Sequence, residues 1–143
     1  MSVKKFEEFL KENNLKFEIL ESPQKTHTAQ QAADVHNVPV ENIVKSILTK
    51  VNDEYVLFLV PGDKKIDLKG KKATIAKPDE VKKITGYFIG GVPPFGHKTK
   101  IKTHIQEGFT KEEKLLAAAG SSNSVFKISL EDLENMLEYS HND

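Results

Sequence analysis

The stretch VKSILTKVNDEYVLFLV, Val44 to Val60, decides how this chain folds. Two apolar runs flank Asn52-Asp53, residue types that accept the left-handed backbone of a tight hairpin turn. The runs Val44–Val51 and Glu54–Val60 are therefore expected as antiparallel neighbours. The second is almost continuously apolar, the pattern of a central strand covered on both faces. Lys45 breaks the pattern at the mouth of the first run. A lysine there either carries its ammonium out to water along an apolar stem or brings positive charge to a pocket.

Working outward toward the N-terminus, the motif TAQQAADVHNV reads as a helix capped by Thr28, with Gln31 completing a capping box and Pro39 stopping it. PVENI forms one more short turn. Before it, LKFEIL, Leu15 to Leu20, alternates as a strand. Val3, Phe6, Phe9 and Leu10 share one helical face, in a helix ending near Asn13-Asn14. Toward the C-terminus, KKATIA is a short strand and KPDEVKKIT a helix opened by Pro78 or Asp79. TKIKTHIQ alternates as a strand. EKLLAAAG fits either helix or strand, because alanine favours helix but the run is short for one. SVFKIS is a strand, and Ser129 caps a last helix striped by Leu130, Leu133, Met136 and Leu137. Strands and helices do not alternate regularly. The expectation is one compact α+β domain over residues 1–143 with a mixed, largely antiparallel sheet.

Composition narrows the function. A chain of 143 residues supports one hydrophobic core. It has no cysteine, which removes disulfides, zinc–thiolate sites and cysteine nucleophiles. His27, His36, His104 and His141 show no metal-binding spacing, and no cofactor is expected. No signal-peptide pattern or membrane-length apolar run is present, so a cytoplasmic protein without a membrane partner is expected. The 21 basic and 21 acidic residues balance, which argues against a non-specific coat for nucleic acid, DNA included. The charges are nonetheless segregated. PGDKKIDLKGKK, Pro61 to Lys72, has five lysines against two aspartates, and HKTKIKTH, His97 to His104, has no acid. These are either solvated turns or a surface for phosphates.

ITGYFIGGVPPFGHK, Ile84 to Lys98, is the costliest segment in backbone terms. Gly90-Gly91 permits a tight turn or lets bare amides meet a ligand. Pro93 and Pro94 fix the chain and remove two amides. Such a loop can polarise a carbonyl with backbone donors, or it can simply turn a sheet corner. His97 follows, able to act as a base near neutral pH or to meet a phosphate. Ser46 and Thr49 carry hydroxyls without a partner spaced as a triad would need. AGSSNS, Ala119 to Ser124, is a second glycine-serine loop, either a hairpin connection or another wall of the same pocket.

Taken in order, TAQQAADVHNVPVENIVKSILTK, EYVLFLVPGDKKID, KKATIAKPDEVKKITGYFIGGVPPFGHK and AAAGSSNSVFKISLEDL resemble the YbaK family. These are free-standing relatives of the editing insertion of bacterial prolyl-tRNA synthetase. The resemblance runs from about Thr26 to Leu133, with TGYFIGGVPPFG its most specific element. It implies a barrel-like mixed sheet flanked by helices. It also implies an aminoacyl-tRNA deacylase, a carboxylic ester hydrolase that clears mischarged tRNA in trans. Its substrate would carry alanine, cysteine or another small residue on the tRNA for proline.

On this resemblance Lys45 meets the acceptor end, and the Gly-x-x-x-Pro loop matches Gly90 to Pro94 and cradles the aminoacyl group. Gly90, Gly91 and His97 join Lys45 as the catalytic set. Thr28, Ile47, Pro93, Pro94, Gly120 and Ser121 line the substrate pocket, with the register between Thr26 and Thr28 left open. Lysines 64, 65, 69, 71, 72, 98, 100 and 102 would hold the acceptor stem, and a cognate synthetase is a second expected partner. The rival readings are a non-catalytic binding module for an aminoacyl-tRNA end or small ligand, and a protein-interaction domain on the same scaffold.

Overall fold

The computed structural model describes residues 2–110 and 114–141. Its elements run α1 (Ser2–Glu12), β1 (Ile19–Glu21), α2 (Ala29–His36), a 3-10 turn (Val40–Asn42), β2 (Ile43–Val51), β3 (Glu54–Pro61), β4 (Ala73–Ile75), α3 (Pro78–Thr85), β5 (Lys102–Ile105), β6 (Leu115–Ala118), β7 (Ser124–Ile128) and α4 (Leu130–His141). The β2–β3 hairpin forms as its turn chemistry predicts. Asn52 and Asp53 take φ of 50° and 67°, and the register pairs Val51 with Glu54 and Lys45 with Val60.

The strand order is β1-β7-β6-β2-β3-β5, with β4 on β2. The β2–β6 and β3–β5 pairs are parallel and the remainder antiparallel. This is the mixed, largely antiparallel sheet of an α+β domain. The barrel-like closure does not form: β1 and β5 end the order and do not pair with each other. Helices and a loop cover one face of the sheet instead. Phe6 and Leu10 of α1, Leu133 and Leu137 of α4, and Val92 and Phe95 of the glycine-proline loop pack there on Leu57, Leu59 and Phe126. Phe126 meets Phe6 at 4.9 Å, Phe17 at 5.4 Å and Phe95 at 5.6 Å between ring centroids. Each such buried aromatic contributes about 1.5–3 kcal/mol. On the other face Ala32 and Ala33 of α2 cover Ile43 and Leu116.

Two local expectations are refined. Leu15 to Phe17 do not join the sheet, and the N-terminal strand starts at Ile19. Asn14 is left-handed, with φ of 56°, and the Leu15 amide closes α1 by donating to Leu10 at 2.8 Å. Phe17 is half-buried against the aromatics while its backbone stays off the ladder. The ambiguous EKLLAAAG run becomes a strand from Leu115, because β6 lies between β2 and β7 and is covered on both faces. There, burial outweighs alanine's helical preference.

One irregularity positions the site. On the side away from β3, β2 pairs with β6 only at Ile43–Val44 and with β4 only at Thr49–Val51. From Lys45 to Ile47 that edge carries no strand, so the sheet is split beside Lys45.

Candidate functional site

A groove of about 570 Å³ opens at this split. Val44, Lys45 and Ser46 form one side, Gly90 and Val92 another, and Thr26 to Ala29 at the start of α2 the rim. Ala118, Ser121 and Ser122 close it from the second glycine-serine loop. The hairpin register brings the residues after β3 alongside, so Gly62 and Asp63 also line it. Gly62 is required by packing, since a Cβ there would lie 2.1 Å from the Val40 carbonyl oxygen.

Lys45 is half-buried, and its Nζ donates to the Lys64 carbonyl. Burial lowers its pKa from the usual lysine value, and the nearby Asp63 carboxylate partly opposes this. Asp63 also pairs with Lys64 Nζ at 3.2 Å. Next to Lys45, the Ser46 hydroxyl is buried and finds no hydrogen-bond partner among the described residues. A buried polar atom left this way at a groove invites a ligand or water to satisfy it.

Thr28 caps α2 as expected, accepting from the Gln31 amide at 3.1 Å. The Gln31 side chain reaches back one residue further than a standard capping box, accepting from the His27 amide at 2.8 Å. Thr26 is committed elsewhere: its amide and its hydroxyl both donate to the Ser122 carbonyl, at 2.9 and 3.1 Å. The rim is thereby tied to the second loop. Within that loop the Ser121 hydroxyl bonds Asn123 Oδ1 and Ser124 Oγ, each at 2.8 Å.

The glycine-proline loop presents a tight turn. The Gly91 amide donates to the Phe88 carbonyl at 3.0 Å, and Gly90 sits at the left-handed position with φ of 90°. Gly91 is buried against the second loop, and a Cβ on it would stand 2.8 Å from the Ser121 backbone. The Gly91 amide is thus taken up by the turn. Those of Gly90 and Val92, on either side, donate to no protein acceptor among the described residues. Both residues line the groove.

The structure brings Lys45, Gly90, Thr28 and Ser121 together. Gly91 and Gly120 line an adjoining cleft that shares Gly90, Ser121 and Ser122 with the groove. Ile47 does not line it, and Pro93 is buried below the loop. Pro94 and His97 line a different cleft, with Phe9, Lys98, Lys100 and Lys102. There His97 Nε2 donates to the Pro93 carbonyl at 2.6 Å. Burial lowers the His97 pKa, against that hydrogen bond, which favours the charged ring. The ring so placed braces the double-proline turn.

Sequence reasoning missed Val92, Ala118, Ser122 and Asp63 as groove residues. Asp63 was within reach, because a turn centred on Asn52-Asp53 pairs Lys45 with Val60 by counting alone. No groove serine hydrogen-bonds a histidine among the described residues, so the site presents no assembled serine nucleophile. The described residues contain no group of three histidine or acidic side chains able to hold a metal ion.

The model of the aminoacyl-tRNA editing domain matches residues 23–136. The uncharacterized protein YwhH of Bacillus subtilis is 30% identical over 140 residues, covering 93% of this chain and 89% of that protein. A proline–tRNA ligase of Fervidobacterium nodosum is 36% identical over 90 residues, 57% of this chain but 16% of the ligase. Among solved structures, a proposed trans-editing enzyme for prolyl tRNA synthetase superposes with a TM-score of 0.88 at 30% identity, covering 96% of this chain and 92% of the other.

Proposed function

The chain belongs to the aminoacyl-tRNA editing domain family, a deacylase family, and from that premise we propose that it hydrolyses mischarged tRNA in trans. The substrate proposed is a small amino acid, alanine or cysteine first, esterified to the tRNA for proline. The observation that carries this reading is the groove itself. Lys45 stands at the split in the sheet, facing a loop whose Gly90 and Val92 amides are free.

An aminoacyl ester is already activated, so the site needs to place a water and stabilise charge. Water attacks the ester carbonyl, and the oxyanion that forms is met by the Gly90 and Val92 amides. Collapse expels the ribose oxygen, which takes up a proton and leaves free amino acid and tRNA. Lys45, held by the Lys64 carbonyl, faces the terminal ribose or its phosphate. The Ser46 hydroxyl supplies a hydrogen bond to the polar end of the amino acid. Val92 and Ala118 leave room for a small side chain, and size exclusion discriminates weakly among small ones, at about 1–3 kcal/mol per methylene. The exposed lysines after β3 give phosphate contacts to the acceptor stem. A cytoplasmic setting and a partnership with prolyl-tRNA synthetase belong to the same proposal.

The test is deacylation of tRNA charged separately with alanine, cysteine, serine and proline. The expected outcome is rapid loss of one small amino acid. Lys45→Ala should lower kcat/KM about 10–100-fold, as removal of a charged hydrogen-bonding group does. If no substrate is cleared faster than its spontaneous hydrolysis, with protein in excess at low salt, the catalytic reading fails and a binding module takes its place.

A further inference from the structure

Phe88 and Ile89 are two of the most solvent-exposed large apolar side chains among the described residues, 65% and 57% exposed. They stand side by side between Tyr87 and Val92, which are 0% and 4% exposed. Their exposure is imposed by backbone geometry. The Phe88–Gly91 turn is closed by a 3.0 Å hydrogen bond, and Gly91 is pressed on the Ser121 backbone, so the pair cannot fold inward. Lys82 Nζ lies 4.4 Å from the Phe88 ring centroid, and the ring still remains largely open. Both residues line the cleft that adjoins the groove through Gly90, Ser121 and Ser122, and Lys25 and Thr26 line it too. A rigid aromatic ring, a flanking aliphatic chain and lysines beside a nucleotide-sized cleft are the parts of a stacking platform for a single-stranded base.

We propose that Phe88 and Ile89 form a platform for the base next to the terminal nucleotide of the RNA 3′ end, while the esterified nucleotide occupies the Lys45 groove. This rests on the deacylase reading and adds a second recognition site to it. The enzyme then grips an unpaired 3′ end by stacking, which tolerates any base.

The test uses the full chain and a labelled RNA tetranucleotide ACCA, followed by fluorescence polarisation, beside the same oligonucleotide with an abasic penultimate position. Wild type is expected to bind the intact probe about tenfold more tightly than the abasic one. Phe88→Ala should erase that difference, Phe88→Trp should keep it, and Ile75→Ala, which changes an exposed side chain on β4, should leave it unaltered. In deacylation, Phe88→Ala should raise KM on full tRNA and leave kcat near wild type. Equal discrimination by wild type and Phe88→Ala overturns the platform, as does failure of wild type to bind the probe. So does a Phe88→Ala effect confined to co-migration with a synthetase. Stacking lost in Phe88→Ala without deacylation of any tRNA would sink the catalytic reading and leave the platform standing. Deacylation with an unchanged KM in Phe88→Ala would do the reverse.

Discussion

Gly90 and Gly91 adjoin, yet they are glycines for different reasons. At Gly90 a Cβ would have room, 3.7 Å from Ser122, but φ of 90° strains any other residue. At Gly91 the obstacle is a backbone 2.8 Å away that cannot swing aside. Gly91→Ala should therefore push the two loops apart, destabilising the protein by about 1–3 kcal/mol as overpacking does. Deacylation should fall with it, because the Gly90 and Val92 amides ride on the same turn. Denaturant unfolding and kcat on one preparation check both. Gly91→Ala with wild-type stability and activity would show that the loops are not in register with one another. The place of Lys45 at the mouth of β2 and of the glycine pair in a tight turn was legible from residue type and neighbours. His97 was legible as a residue of interest, but its bond to the Pro93 carbonyl follows from how the double proline turns in space.

At the scale of elements, the β2–β3 hairpin was the most readable part of the chain. Its signals are local: two strand-length runs and two residues that tolerate positive φ. The turn is near its optimum but not at it, since Asp53 holds φ of 67° with a side chain. Asp53→Gly should stabilise the protein by about 0.5–1 kcal/mol, read as a higher denaturant midpoint with an unchanged slope. A fall in stability would mean that the Asp53 side chain contributes more than its strained backbone costs. β1 and β6 were harder. Leu15 to Phe17 carry a strand's alternation, but the Leu15 amide is spent closing α1, and the ladder with β7 begins only where Ile19 meets Phe126. β6 is a strand because of its neighbours, which no local pattern contains.

Across the whole molecule, pH acts through two imidazoles that burial affects unequally, His97 in its cleft and the half-buried His36. Burial lowers the folded-state pKa of both His97 and His36 below the ordinary 6.5. As pH falls through that value the unfolded chain takes up protons that the folded one refuses. Their contribution is therefore whole above about pH 7 and lost as the solution turns mildly acidic. Chemical denaturation between pH 8 and 5 should show stability declining. His97→Gln, which keeps a donor for the Pro93 carbonyl, should flatten part of the decline. An unchanged slope in that variant would assign the effect to His36 and other groups.

The sequence alone determined the hairpin, the helix starts, the mixed α+β class and the places of the two glycine-rich turns, because each rests on residues near one another in the chain. It also carried the family, whose model matches residues 23–136. Only the tertiary structure decided that the sheet stays open, that it splits beside Lys45, and that His97 lies apart from Lys45 in another cleft. Only it showed that the Gly91 amide is bound within the turn while Phe88 is held out in solvent. These depend on which distant backbones meet: β6 and β4 dividing one edge of β2, and Gly91 resting on Ser121. Local propensity carries no term for such contacts, so they appear only when the whole chain has packed.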